Sequence, residues 1–411
     1  MLDAALADGT ASRHCTFEVF ARSLPPGRRY GVVAGIPRLL EALTRFTFDD
    51  EEIRVLCDSG VRDRVAEYLT GHRFSGDVTG YPEGELYFPG SPVLSISGTF
   101  GECVLLETLV LSVLNHDCAV ASAAARMASA SNGRPLIEMG SRRTHEEAAV
   151  ASARAAYLAG FDATSNLEAF RRYGVPTTGT SAHAFTLLHD SEADAFRAQV
   201  DALGVGTTLL VDTYDITRGI ETAIEVAGTD LGAVRIDSGD IGVLAQRARA
   251  QLDELGATST RVVISGDLDE HAIAALRAEP VDAYGVGTSV VTGSGAPTAG
   301  MVYKLVEVEG RPVAKRSSSK ESRGGAKSAL RRHKPTGTAV EEVVHLLDHP
   351  VEPGEHDRVV PVPLVTKGEP AGDLPTLDEA REHLRRGLVA IPWEGLKLSR
   401  GEPAIPTTFL P

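Results

Sequence analysis

Residues 231–240 read LGAVRIDSGD, and the fold turns on that decapeptide. Residues 232–237 form a short, mostly apolar run of the kind that makes a buried parallel strand. Its end then turns polar through Arg235, Asp237, Ser238, Gly239 and Asp240. A helix is predicted at once: Ile241, Leu244, Ala248, Leu252 and Leu255 recur at steps of three and four, Asp240 suits the N-cap, and Gly256 suits the stop. Strand, polar turn and helix make the repeating unit of α/β folds, which place binding groups at the carboxyl ends of their strands. Taken alone, the stretch is explained equally well by an Arg–Asp structural ion pair and a capping Asp240.

The neighbours repeat the unit. Residues 135–139, 161–164, 174–178, 207–212, 261–265 and 281–286 are further strand candidates, most of them trailed by a helical segment. So many units in so short a stretch predict a parallel sheet closed, or nearly closed, into a barrel. Each strand candidate ends in polar residues: Gly140-Ser141-Arg142-Arg143, Thr164-Ser165-Asn166, Gly179-Thr180-Ser181-Ala182-His183, Asp212-Thr213-Tyr214-Asp215, Ser265-Gly266-Asp267 and Gly287-Thr288. In a barrel these ends converge on one mouth. Gly266, Gly287 and Thr288 sit at the last two ends, where barrels hold phosphate through backbone N–H groups. His183 is by itself a common structural histidine; an imidazole in a small-residue turn also suits a nucleophile.

A chain of 411 residues with 43% hydrophobic content fills a sizeable core, and a net charge of -15 argues against a general nucleic-acid or membrane-surface binder. Cys15, Cys57, Cys103 and Cys118 show neither metal-ligand spacing nor a disulfide framework, which predicts reduced thiols in a cytoplasmic protein. The first residues lack the basic start and apolar core of a signal peptide, and the most apolar stretch, 103–114, is interrupted by Glu107.

Outside the repeats, residues 14–34 read as a hairpin split by Pro25-Pro26-Gly27, followed by short helices at 36–46, 51–57 and 62–69 and a β region at 77–97. Residues 100–130 predict one long helix bridging the two parts. Residues 301–314 read as a hairpin turning at Glu309-Gly310. The run 311–334 is rich in Lys and Arg against a single Glu321, either a solvated linker or a phosphate-binding arm. Strands at 340–346 and 358–365 and a helix at 377–388 complete an α+β domain of residues 1–99 with 335–411, around a barrel-like catalytic domain of residues 100–334.

The stretches GSRRTHEEAAVASARAAYLAGFDATSN, YGVPTTGTSAHAF, VDTYD, RIDSGD, SGDLDE, YGVGTSV, MVYKL and VAKRSSSK resemble the nicotinate phosphoribosyltransferases, and the likeness runs over nearly the whole chain. It implies an irregular (β/α) barrel of the type II phosphoribosyltransferase kind with an α+β domain. It also implies an activity: nicotinate and phosphoribosyl pyrophosphate give nicotinate mononucleotide and pyrophosphate, with coupled ATP hydrolysis and Mg2+, in a cytoplasmic homodimer with shared active sites. By position, Arg142 would face the nicotinate carboxylate and His183 would be phosphorylated by ATP. Arg235 and Asp237 would border base and ribose, with Asp237 beside the positive charge that grows at C1. Thr164 and Asp212 would line the same mouth. Gly266, Gly287 and Thr288 would hold the 5′-phosphate, with Tyr303, Lys304 and Lys315 on the phosphate side.

Two departures stand out. The family carries a Thr-Asp-x-Tyr-x-Leu-Thr segment just before the position matching Met1, which predicts an in-frame Asp-x-Tyr upstream. Met139 stands where an aromatic ring against the base is expected. A pyridine phosphoribosyltransferase preferring nicotinamide or quinolinate, for which paired Arg142-Arg143 speaks, and a non-catalytic family member are the alternatives.

Overall fold

The computed structural model describes residues 1–315 and 322–410. The chain forms two compact units: Met1–Ser122 together with the chain from Ala296 onward, and Ala123–Gly295. The division falls at 122/123 and 295/296, against the 99/100 and 334/335 read from the sequence. The reason is packing. Val110, Val113, Leu114 and Cys118 of the helix Glu107–Ser131 lie in the core of the first unit, and strand Met301–Val308 is hydrogen-bonded there to His14–Ala21. The long helix is also interrupted once, into Phe100–Leu105 and Glu107–Ser131. It is the one described helix long and apolar enough to cross a membrane, but 67% of that window is buried in the protein, as a core helix requires.

The first unit is built on an antiparallel sheet whose order is Arg311–Pro312, Met301–Val308, His14–Ala21, Leu94–Thr99, Asp77–Gly80, Val362–Thr366 and Glu369–Pro370. His14–Ala21 therefore pairs with partners distant in sequence, whereas Gly31–Val32 pairs with Leu86–Tyr87, so the hairpin expected over 14–34 does not form. Pro25-Pro26-Gly27 ends one strand without returning the chain to it, because register is decided by which faces the sheet buries. The hairpin at 301–314 does form: Glu309 and Gly310 adopt φ of 50° and 70°, the positive pair a two-residue turn needs. Helix Phe100–Leu105 starts from a capping box in which Thr99 and Glu102 satisfy each other's backbone N–H groups.

The basic run is mostly neither linker nor arm. Lys327–His333 is a strand paired with Ala339–Leu346; Lys327 donates to buried Glu18 at 2.8 Å, and Arg331 bridges buried Glu85 and Glu342 at 2.5 Å each. Residues 316–321, with Arg316, Lys320 and the SSSK stretch, lie outside the described residues.

The second unit carries a parallel sheet in the order Ala163–Thr164, Leu136–Glu138, Ala283–Val286, Arg261–Ser265, Ala233–Ile236, Thr208–Leu210. The first and last strands in chain order are neighbours, and the sheet curls into a half-barrel. Closure stops at its edges: the strand expected at 174–178 is a single parallel bridge, Thr164 to Thr177. Helices follow the strand ends, started by side chains of the same polar turns. Asn166 accepts from the N–H of Ala169, Asp215 from Arg218, and Asp269 from His271 and Ala272. Helix Ile241–Glu254 packs through Ala245, Ala248 and Leu252; Leu244 is only half-buried and Leu255 is exposed. Asp240 stands at its N-cap but its side chain makes no capping bond.

Candidate active site

The strand ends of the second unit surround a cleft of about 180 Å³ lined by Arg142, Arg235, Asp237, Gly266, Gly287 and Thr288, together with Met139, Arg143, Ser265, Asp267 and Gly285. Its floor is set by Arg235, which projects from strand Ala233–Ile236. The guanidinium donates from Nε to Ser265 Oγ at 2.7 Å, from Nη1 to Thr180 Oγ1 at 2.6 Å, and from Nη2 to Asp237 Oδ1 at 2.7 Å. Each edge of the fork is thus held by a different strand end, so the planar group cannot swing. Ser265 Oγ also donates to Asp237 Oδ1. Burial pushes the Asp237 carboxyl up, but the Ser265 hydroxyl, the Arg235 cation and His183 together outweigh it and hold the group below its ordinary value. Asp237 is therefore a carboxylate at neutral pH.

Asp212 connects this pair to His183. Its Oδ2 accepts from the backbone N–H of Asp237 and from Ser238 Oγ, both at 2.9 Å. Its Oδ1 is buried, has no hydrogen-bond donor among the described residues, and faces His183 Nε2 at 3.8 Å, beyond hydrogen-bond reach. His183 opens the short helix His183–Leu188, and its Nδ1 lies 3.1 Å from Thr213 Oγ1. The imidazole is half-exposed.

Arg142 and Arg143 sit on the 3-10 turn Ser141–Arg143, exposed to the cleft, and among the described residues neither guanidinium has a protein partner. With Arg235 already paired to Asp237, two uncommitted cations face one remaining acid, Asp267. That corner favours an anion.

The two glycines differ in kind. A Cβ on Gly266 would stand 2.2 Å from the Asp237 carbonyl oxygen, and its φ is +97°, so glycine is required by the backbone there. A Cβ on Gly287 would meet nothing nearer than 3.5 Å; glycine at 287 keeps room in the cleft rather than relieving a clash. The first N–H groups of helix Thr288–Val291 have no intrahelical acceptor, as at any helix start.

One expected residue of the second unit stays out of the cleft. Thr164 is wholly buried, and its hydroxyl is committed to Glu138 and the N–H of Asn166 rather than to a ligand. Tyr303, Lys304 and Lys315 belong to the first unit: Tyr303 is buried with its hydroxyl on the Cys103 carbonyl, Lys304 lies opposite Glu18 in the sheet, and Lys315 is exposed. Ser265, Asp267 and Thr180, which the sequence shows only as parts of polar strand ends, belong to the site as well. Asp267 is a non-glycine residue at φ 39°, a strained conformation of the kind concentrated at functional sites. Its signal was present in the Gly-Asp pair ending a strand. Among the described residues no group of three or more His, Cys, Asp or Glu side chains is arranged to hold a metal.

Models of the nicotinate phosphoribosyltransferase N-terminal domain and of the nicotinate phosphoribosyltransferase family match residues 1–115 and 135–347. The chain is 64% identical over 419 residues to nicotinate phosphoribosyltransferase pncB1 of Mycobacterium tuberculosis, spanning 100% of this chain and 93% of that one. It is 38% identical over 312 residues to the nicotinate phosphoribosyltransferase of Bacillus subtilis, spanning 74% of this chain and 64% of that one. Among solved structures, human nicotinic acid phosphoribosyltransferase superimposes with a TM-score of 0.85 at 25% identity, over 100% of this chain and 96% of that one. Nicotinate-nucleotide pyrophosphorylase from Pyrococcus furiosus superimposes with a TM-score of 0.80 at 25% identity, over 94% and 92%.

Proposed function

Because the chain belongs to the nicotinate phosphoribosyltransferase family, an enzyme family of NAD salvage, we propose that its cleft joins nicotinate to phosphoribosyl pyrophosphate with ATP hydrolysis coupled through His183. One observation carries this reading: two uncommitted guanidiniums, the Arg235–Asp237 pair and the Gly287-Thr288 turn open onto one cleft.

Each group has work suited to its chemistry. Arg142 offers the nicotinate carboxylate two parallel hydrogen bonds. As the bond from C1 of the ribose to pyrophosphate breaks and the bond to the pyridine nitrogen forms, positive charge grows on the sugar, and ionised Asp237 lies where it is stabilising. Arg235, fixed by its three partners, keeps that carboxylate aimed. The backbone at Gly287 and Thr288, with Gly266, receives the 5′-phosphate. His183 accepts a phosphoryl group from ATP, its N–P bond forming as the bond to ADP breaks, and water later releases phosphate. Asp212 lies behind the ring, its Oδ1 3.8 Å from Nε2. Mg2+, when bound, would neutralise charge on the leaving pyrophosphate; no described cluster of acids is arranged to hold it, so it would have to be carried largely by the substrate. Lys304 and Lys315 are assigned the phosphate side by the family resemblance alone. The same resemblance supports a cytoplasmic homodimer with shared sites.

The test is a competition assay. Purified protein offered nicotinate, nicotinamide and quinolinate with phosphoribosyl pyrophosphate should form nicotinate mononucleotide, faster when ATP is added. Preference for either other pyridine overturns the substrate assignment, and indifference to ATP overturns the coupling.

A further inference from the structure

Glu138 is a buried acid that the mechanism does not use. It ends strand Leu136–Glu138, is wholly inaccessible to solvent, and has no cation at ion-pair distance among the described residues. Burying a carboxyl group without a cation is costly unless its oxygens are hydrogen-bonded. Both are. Oε1 accepts the N–H of Gly140 and Oε2 accepts the Thr164 hydroxyl, each at 2.5 Å. The Thr164 oxygen accepts the N–H of Asn166 at 3.0 Å, and the Asn166 amide donates to Ser141 Oγ, also at 3.0 Å. The backbone carbonyl of Glu138 takes the N–H of Ser165 at 2.8 Å.

These bonds close a ring. Two strand-end turns, 139–143 and 164–166, are tied together through one carboxyl group, and Arg142 rides on the first of them. A Cβ on Gly140 would meet Glu138 Oε1 and the Gly287 carbonyl oxygen, each at 2.9 Å, so the turn is seated directly on the carboxyl and beside the phosphate-side loop. Nothing else described holds the Arg142 side chain, which leaves its placement to the turn. We propose that Glu138 is a positioning residue: it fixes the turn that aims Arg142 and so sets affinity for the nicotinate carboxylate. This rests on the reading that Arg142 pairs with that carboxylate. Burial pushes the Glu138 carboxyl up against the pull of its two donors, consistent with a group kept for geometry rather than charge.

The experiment measures KM for nicotinate, KM for phosphoribosyl pyrophosphate and kcat in wild type, Glu138→Gln, Thr164→Val, Thr164→Ser and Arg142→Lys. Glutamine accepts from only one of the two donors, and valine removes the hydroxyl without changing side-chain shape. Both should raise the nicotinate KM by roughly tenfold while leaving kcat and the other KM unchanged. Thr164→Ser, which keeps the hydroxyl, should behave as wild type, and the Glu138→Gln/Thr164→Val double variant should fall short of the sum of the two single effects, since both act on one hydrogen-bonded ring. If Glu138→Gln does not fold, the Val and Ser pair decides alone. A Thr164→Val enzyme with unchanged nicotinate KM, or with all three constants moving together, overturns the proposal. Arg142→Lys separates the two layers: a raised nicotinate KM there with a silent Thr164→Val sinks only the role of Glu138, whereas an unchanged value removes the premise and the proposal with it.

Discussion

Asp212 Oδ1 stands 3.8 Å from His183 Nε2, buried and without a hydrogen-bond donor among the described residues, while the other oxygen of the same carboxylate fastens the Asp237 backbone and Ser238. A buried acceptor left open is expensive, and the His183 ring is the polar group that faces it. One side chain, Asp212, thus lies between the His183 ring and the backbone that carries Asp237.

Asp212→Asn should keep the bonds to Asp237 and Ser238 that an amide oxygen can accept, yet lose the negative charge behind the ring. ATP-stimulated turnover should fall by roughly tenfold to a hundredfold, with the ATP-independent rate much less affected. Initial rates with and without ATP check this; equal losses in both would point to a general structural defect.

His183→Ala should abolish ATP stimulation and leave slow basal formation of nicotinate mononucleotide. Radiolabel from γ-labelled ATP should appear as acid-labile phosphate on the wild-type protein and not on the variant. Label retained by the variant would move the phosphorylation elsewhere.

Alanine at the two cleft glycines should separate folding from binding. Gly266→Ala forces a side chain at φ +97° into the Asp237 carbonyl and should cost about 1–3 kcal/mol or more in a denaturant melt. Gly287→Ala has room for its methyl group and should melt like wild type while raising the KM for phosphoribosyl pyrophosphate. Reversal of that pattern would contradict the geometry.

Ser265→Ala removes the chief hydrogen bond that lowers the Asp237 carboxyl. A depressed carboxyl stabilises the fold above its unfolded value, about 3.9, and that contribution is lost as pH falls through the lower folded value. Without the hydroxyl, burial has less opposition and the folded value rises. The acid limb of both stability and kcat should shift to higher pH, read in melts and rates between about pH 3 and 6. An unmoved limb would exclude Asp237 as the titrating group.

Arg331→Met leaves Glu85 and Glu342 buried side by side without the cation that bridges them. Breaking a buried ion pair from one side costs about 3–5 kcal/mol, so the first unit should melt far earlier, with the cleft chemistry intact at low temperature. Calorimetry with activity measured in parallel tests this.

Much of the cleft was legible in the residues. Arg142, Arg235, Asp237, Gly266, Gly287 and Thr288 each end a strand candidate, and the structure brings them to one cleft because parallel strands share a carboxyl end. Thr164 occupied an equivalent position and was expected to join them, but the Glu138 carboxyl claims its hydroxyl. Polarity at a strand end reveals that a group needs a partner, without saying whether the partner is ligand or protein.

What the sequence by itself determined was local order: apolar runs made the strands Ala233–Ile236, Arg261–Ser265 and Ala283–Val286, each followed by a polar turn and a helix. Of the helices after them only Glu270–Ala275 is started by a side-chain cap, from Asp269; such local signals act over a few residues through backbone sterics and hydrophobic periodicity. Tertiary structure alone decided that His14–Ala21 pairs with Met301–Val308 rather than with the next strand in the chain, and that Lys327 and Arg331 of a basic run go inward to Glu18, Glu85 and Glu342. Such choices depend on which distant groups can be desolvated together, an energy that exists only once the chain has closed around them.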